Sequence, residues 1–82
     1  MKPAFSKHAL GQIQLRGIDI QKVMAILEDP SQRIQEDGLT VFQGLITENG
    51  RPMLLRIFVN LLKQPPLVVT VYKTSKIYKY WQ

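Results

Sequence analysis

Cysteine is absent from this 82-residue chain, which removes a disulfide framework and any thiolate metal site. Histidine occurs once, as His8, so a histidine-rich metal centre is excluded as well. No apolar run exceeds the length of a strand, so no membrane span is expected. The opening Met1–His8 has no apolar stretch of the kind a secretory signal needs, and the expected location is the cytoplasm. There is no phosphate-cradling glycine loop, dinucleotide fingerprint, serine elbow or carboxylate-rich cluster. Neither a cofactor nor a metal is therefore expected.

Acidic residues are also scarce, but only in the second half. Residues 1–41 balance Lys2, Lys7, Arg16, Lys22 and Arg33 against Asp19, Glu28, Asp29, Glu36 and Asp37. Residues 42–82 set Arg51, Arg56, Lys63, Lys73, Lys76 and Lys79 against Glu48 alone, and so carry the whole net charge of +5. Such asymmetry points to a polyanionic partner for the C-terminal half. The plain alternative is a solvated basic surface.

What is present suits one small α+β domain spanning residues 1–82. Hydrophobic residues make up 45% of the chain, too many for a disordered segment. A domain this short buries only about 60–65% of the surface its unfolded chain exposes, so packing must be efficient. Ser6 is an expected N-cap for a helix to about Arg16, with Ala9, Leu10 and Ile13 as its apolar stripe and Gly17 as its stop. Gly11 inside that helix suggests either a close backbone contact or a helix weaker than most. Asp19 caps a second helix with Ile20, Val23, Met24 and Leu27 inward, and Pro30 ends it, giving a helical hairpin.

Beyond Pro30 the apolar period becomes two. Arg33–Glu36, Leu39–Thr47, Met53–Leu61 and Leu67–Thr74 read as strands, with turns at Asp37-Gly38, Glu48-Asn49-Gly50 and Pro65-Pro66. Short turns make a four-stranded antiparallel sheet the natural arrangement. Simple alternation puts Leu55, Ile57, Val59, Leu61, Leu67, Val69 and Val71 under the helices. Arg56, Phe58, Asn60, Val68, Thr70, Tyr72 and Thr74 then form an open second face, polar, cationic and partly aromatic.

The residue types available for catalysis suit RNA cleavage by the substrate's own 2′-hydroxyl. Such a reaction needs only a base, cations for the phosphate and an acid for the leaving oxygen. His8, Gln12 and Arg16 recur at four-residue spacing and share one helical flank. They are either a polar edge facing a phosphate or local structure, with Arg16 offsetting the helix's C-terminal partial charge. In Tyr72–Gln82 lysines alternate with aromatics, a pattern that neutralises phosphates while bases stack on rings. The alternative folds Tyr78, Tyr80 and Trp81 back onto the core.

The segments Ser6-Lys7-His8-Ala9, Arg16-Gly17-Ile18 and Glu28-Asp29-Pro30 resemble an "HAxxR…RGI…DP" opening. Val69–Trp81 resembles a closing "VxTVYxTSKIxKYW". Both belong to a small bacterial domain of unknown function grouped with the RelE/ParE and BrnT toxin superfamily. The resemblance spans nearly the whole chain and implies a RelE/BrnT-like fold. It also implies a toxin of a type II toxin–antitoxin system, cleaving mRNA, free or on the ribosome, and neutralised by a cognate antitoxin. By matching position it points to His8, Arg16, Lys73, Lys76, Lys79 and Tyr80. With the open-face residues, the expected catalytic set is His8, Arg16, Lys76 and Tyr80, and the expected RNA contacts are Arg56, Tyr72, Lys73 and Lys79. Where the family has its first arginine, this chain has Gln12. The competing reading is a non-catalytic RNA- or protein-binding module of the same fold, or an interaction protein that docks through a sheet edge or an exposed apolar patch.

Overall fold

A single hydroxyl fixes where the first helix starts and where it sits. Ser6 Oγ accepts from the Ala9 amide at 3.0 Å, filling one of the orphan donors of the first turn, and donates to the Val69 carbonyl at 3.1 Å. The computed structural model describes all residues, Met1–Gln82. Its elements in order are β1 (Ala4–Phe5), α1 (Lys7–Leu15), α2 (Ile20–Glu28), β2 (Gln32–Glu36), β3 (Leu39–Glu48), β4 (Arg51–Asn60), β5 (Leu67–Thr74) and α3 (Ile77–Tyr80). No helix is long and apolar enough to cross a membrane.

The helix signals act as the sequence suggests. Asp19 Oδ1 accepts from the Gln21 amide at 2.8 Å, and Gly17 turns the chain at φ +62°. The two helices differ in what holds them. Helix α2 buries Val23, Ile26 and Leu27, each worth about 2 kcal/mol on removal from water. Helix α1 fully buries only Ala9, while Leu10 and Leu15 remain exposed. Gly11 faces open space, so of the two expected readings the close contact is missing and the weaker helix is left. The expected helical hairpin is also loosened: α1 docks on β5, and α2 docks on β3 and β4.

The four expected antiparallel strands are present, but the sheet has five, in the order β1-β5-β4-β3-β2. The addition is β1, which runs parallel to β5 through Ala4–Leu67 and Phe5–Val68. Two residues are too few to show a period, so nothing in the sequence marked them. The hairpins turn at Asp37-Gly38 (φ 52° and 79°) and Asn49-Gly50 (φ 53° and 76°). Positive φ at both central residues matches the right-handed twist of the flanking strands.

A bulge corrects the face assignment of β5. The register passes from Phe58–Thr70 to Val59–Val68, leaving Val69 without a partner. One extra residue reverses the alternation. Val68 therefore joins Leu55, Ile57, Val59, Val71 and Phe42 under the helices, while Leu61 lies beyond β4 and is exposed. The face away from the helices is not open. The short helix α3 and the residues after it fold across it, held by Gln32 and Gln43.

Candidate functional site

The floor of the site is the outer edge of β5. Because β1 stops at Phe5, no strand flanks β5 beyond Val68, and α1 lies along that edge instead. Between them is a hollow of about 260 Å³ lined by His8, Gln12, Arg16, Thr70, Val71 and Tyr72. The four-residue spacing of His8, Gln12 and Arg16 puts all three on the flank of α1 that faces this edge. Arg16 Nε donates to Gln12 Oε1 at 2.9 Å, which aims the guanidinium along the helix and leaves its terminal nitrogens for a ligand.

Of the expected catalytic residues, the fold brings His8 and Arg16 together, joined by Tyr72 from the expected RNA contacts. Lys76 is exposed and Tyr80 half-buried, and neither lines the hollow; Tyr80 meets Tyr72 edge-on, with ring centroids 6.1 Å apart. Lys73 is tied to Glu48 by an ion pair of 2.6 Å. Lys79 is exposed, its ammonium 5.4 Å from the centre of the Tyr80 ring. Tyr78 is 95% exposed beside it.

Arg56 is corrected outright as an RNA contact. It is 1% exposed, on the face crossed by α3. Its Nε donates to Gln43 Oε1, its Nη1 to the Tyr72 hydroxyl and its Nη2 to Glu36 Oε2 at 2.8 Å. Its guanidinium carbon lies 4.3, 5.1 and 5.6 Å from the ring centres of Tyr80, Phe58 and Tyr72. Burial pulls the Arg56 pKa down, but the hydrogen bonds to Tyr72 and Glu36 outweigh it, so the group stays charged and is held above its ordinary value. Burial raises the Tyr72 phenol despite the cation beside it. The Tyr80 phenol is lowered, first by Tyr72 and then by Lys79 and Arg56, against a smaller opposing effect of burial.

The arrangement sets one imidazole, one guanidinium and one amide on the α1 flank against Thr70, Val71 and Tyr72 of the β5 edge, while the Tyr72 hydroxyl itself is held by Arg56. It can bind an anion and move a proton. No group of three or more His, Cys, Asp or Glu side chains converges anywhere in the chain. Sequence reasoning missed Thr70 as a lining residue, and Gln43 and Glu36 as the partners of Arg56. A lone glutamine in the apolar run Val41-Phe42-Gln43-Gly44-Leu45-Ile46 was the available signal for Gln43.

A family model described as "Domain of unknown function (DUF4258)" matches residues 5–73, which takes in the hollow, all of β2, β3 and β4, and β5 up to Lys73. No curated protein and no solved structure matches the chain.

Proposed function

The chain belongs to the DUF4258 family, a domain of unknown function, and on that premise we propose that it is a metal-independent endoribonuclease cleaving mRNA at the α1–β5 hollow. The observation that carries this reading is the convergence of His8, Arg16 and Tyr72 on one open hollow at a sheet edge. A volume of about 260 Å³ lies below the range of sites for large cofactors and suits a single sugar–phosphate unit.

The 2′-oxygen attacks the neighbouring phosphorus, the bond to the 5′-oxygen breaks, and a 2′,3′-cyclic phosphate results. His8 takes the 2′-hydroxyl proton, since imidazole is the side chain suited to proton transfer near neutral pH. The free nitrogens of Arg16 hold the non-bridging oxygens as charge builds on them. Solvent at the open mouth of the hollow supplies the proton that the departing 5′-oxygen takes up. Outside the hollow, Lys76 and Lys79 neutralise flanking phosphates and the exposed Tyr78 ring offers a base a stacking partner. In this reading the protein is a RelE/BrnT-like toxin of the cytoplasm, held in check by a cognate antitoxin.

The test is incubation of purified protein with mRNA in EDTA, with and without ribosomes. Cyclic-phosphate ends are expected, and His8→Ala should slow cleavage by about a hundredfold. Intact RNA in both mixtures, with no growth arrest on expression, sinks the reading. Gln12 favours a second one: an amide where the related sequences have a cation weakens the grip on a phosphorane, and a binding module needs no such grip. Salt-dependent RNA binding without cleavage would select that alternative.

A further inference from the structure

The two edges of the sheet end differently. The β5 edge is covered by β1 and α1, whereas β2 is the last strand on the other side and no strand lies beyond it. The turn after β2 decides which of its backbone groups are left over. Asp37 and Gly38 both turn at positive φ, so Glu36 and Leu39 close a two-residue hairpin as a hydrogen-bonded pair. Bonded and unbonded pairs alternate along an antiparallel ladder, so Ile34–Val41 and Gln32–Gln43 bond inward as well. The N–H and C=O groups of Arg33 and Gln35 therefore point away from β3. No backbone group elsewhere in the chain meets them.

Outward groups at alternate residues match those of an identical strand running the other way. We propose that β2 is a self-pairing edge, through which a second copy of this chain joins its sheet to the first. With the symmetry axis at Ile34, Arg33 faces Gln35 of the second copy, and each exchanges both backbone bonds with its opposite. The side chains agree with this register. Ile34 is half-buried and meets Ile34 of the second copy at an unbonded position, where side chains approach closest. Arg33 meets an amide, and Glu36, already held by Arg56, meets Gln32. The charges of β2 are Arg33 and Glu36, which cancel, so the strand is neutral in a chain of net charge +5. A slip of one residue would reverse the faces, and a slip of two sets Arg33 against Arg33 or Ile34 against Glu36. The hollow lies at the opposite edge, so the pairing is independent of the endoribonuclease reading and leaves both hollows open.

The edge is short, so the association is weak and is read by sedimentation over a concentration series. The native chain should pass from monomer toward dimer as its concentration rises to the millimolar range. Gln35→Glu should tighten the dimer about fivefold, because each Arg33 then faces a carboxylate, and Gln35→Lys should loosen it by a similar factor. Gln14→Glu, exposed on α1, makes the same change in net charge as Gln35→Glu and should leave the equilibrium where it was. Gln35→Pro removes an outward N–H without touching the β2–β3 ladder, so it should abolish the dimer and keep the native circular dichroism. Should the proline variant not fold, the charge variants decide. A native chain that stays monomeric throughout overturns the proposal. So does a dimer that survives Gln35→Pro in a folded chain, or one that Gln14→Glu tightens as much as Gln35→Glu does.

Discussion

The two faces of the sheet are filled by opposite means. Under the helices, Phe42, Leu55, Ile57, Val59, Val68 and Val71 meet Ala9, Ile18, Val23, Ile26 and Leu27 with no polar atom that needs a partner. Across the sheet, Val41 and Leu54 are equally buried, but beside them lie Gln43 and Arg56, both shut off from water. No buried side-chain nitrogen or oxygen there lacks a hydrogen bond. The first face depends on volume and close packing. The second depends on direction, because each donor must meet one acceptor. This contrast teaches that the two layers fail differently: a dry aliphatic layer weakens with the volume removed, whereas a directed polar layer weakens when one partner is orphaned.

The largest effect expected on this comparison comes from truncation on the helix side. Phe42→Ala should lower stability by about 4 kcal/mol in a urea melt, since it leaves a cavity among rigid neighbours. Arg56→Ala should lower it by about 3 kcal/mol, through lost volume and orphaned acceptors. Arg56→Met restores the volume but orphans the same acceptors, so it should still cost about 2 kcal/mol, whereas replacing Arg56, Gln43 and Glu36 together by apolar side chains should come within about 1 kcal/mol of the native chain. If the triple variant is as unstable as the alanine one, lost volume and not lost direction is what weakens the far face, and the contrast breaks down.

Gly44→Ala should follow, at about 2 kcal/mol. A Cβ at Gly44 would stand 2.7 Å from Ile26 Cγ1 and 2.9 Å from its Cδ1, so the Ile26 side chain, or α2 with it, must shift. Ile26→Ala in the same chain should relieve much of that clash, and a strictly additive double variant would show that the approach of α2 is not the cause.

The smallest effect lies in the phenols. Tyr80 should ionise before Tyr72 in an absorbance titration at alkaline pH, because the two are displaced in opposite directions. The raised pKa of Tyr72 means that its contribution to stability is full below the ordinary tyrosine range near 10 and fades as pH rises through its folded value. The lowered pKa of Tyr80 works the other way, contributing above that range and fading as pH falls through its folded value. Tyr72→Phe should move Tyr80 back upward, since Tyr72 is the first cause of its shift. An unchanged Tyr80 would separate the two rings.

Much of this was legible in the chain, for local reasons. Caps at Ser6 and Asp19 and stops at Gly17 and Pro30 bounded both helices, since each acts within one turn. The two-residue turn Asn49-Gly50 pairs Glu48 with Arg51 and, counting outward, Gln43 with Arg56. Likewise Asp37-Gly38 places Gln32 opposite Gln43. The polar row across the second face was therefore implicit in two tight turns, although neither Gln43 nor Glu36 stood out as a partner. His8 and Arg16 were readable from helical spacing alone.

Sequence by itself determined the helix ends, three hairpin-joined strands with their register, the excess of cations in the second half and the shared flank of His8, Gln12 and Arg16. Each follows from interactions a few residues long or from composition. Tertiary structure decided that a bulge at Val69 turns Val68 inward, that β1 covers only the start of β5, and that the C-terminal turn closes over Arg56. Those outcomes depend on which surfaces meet across the whole chain, where desolvation and packing outweigh any local preference.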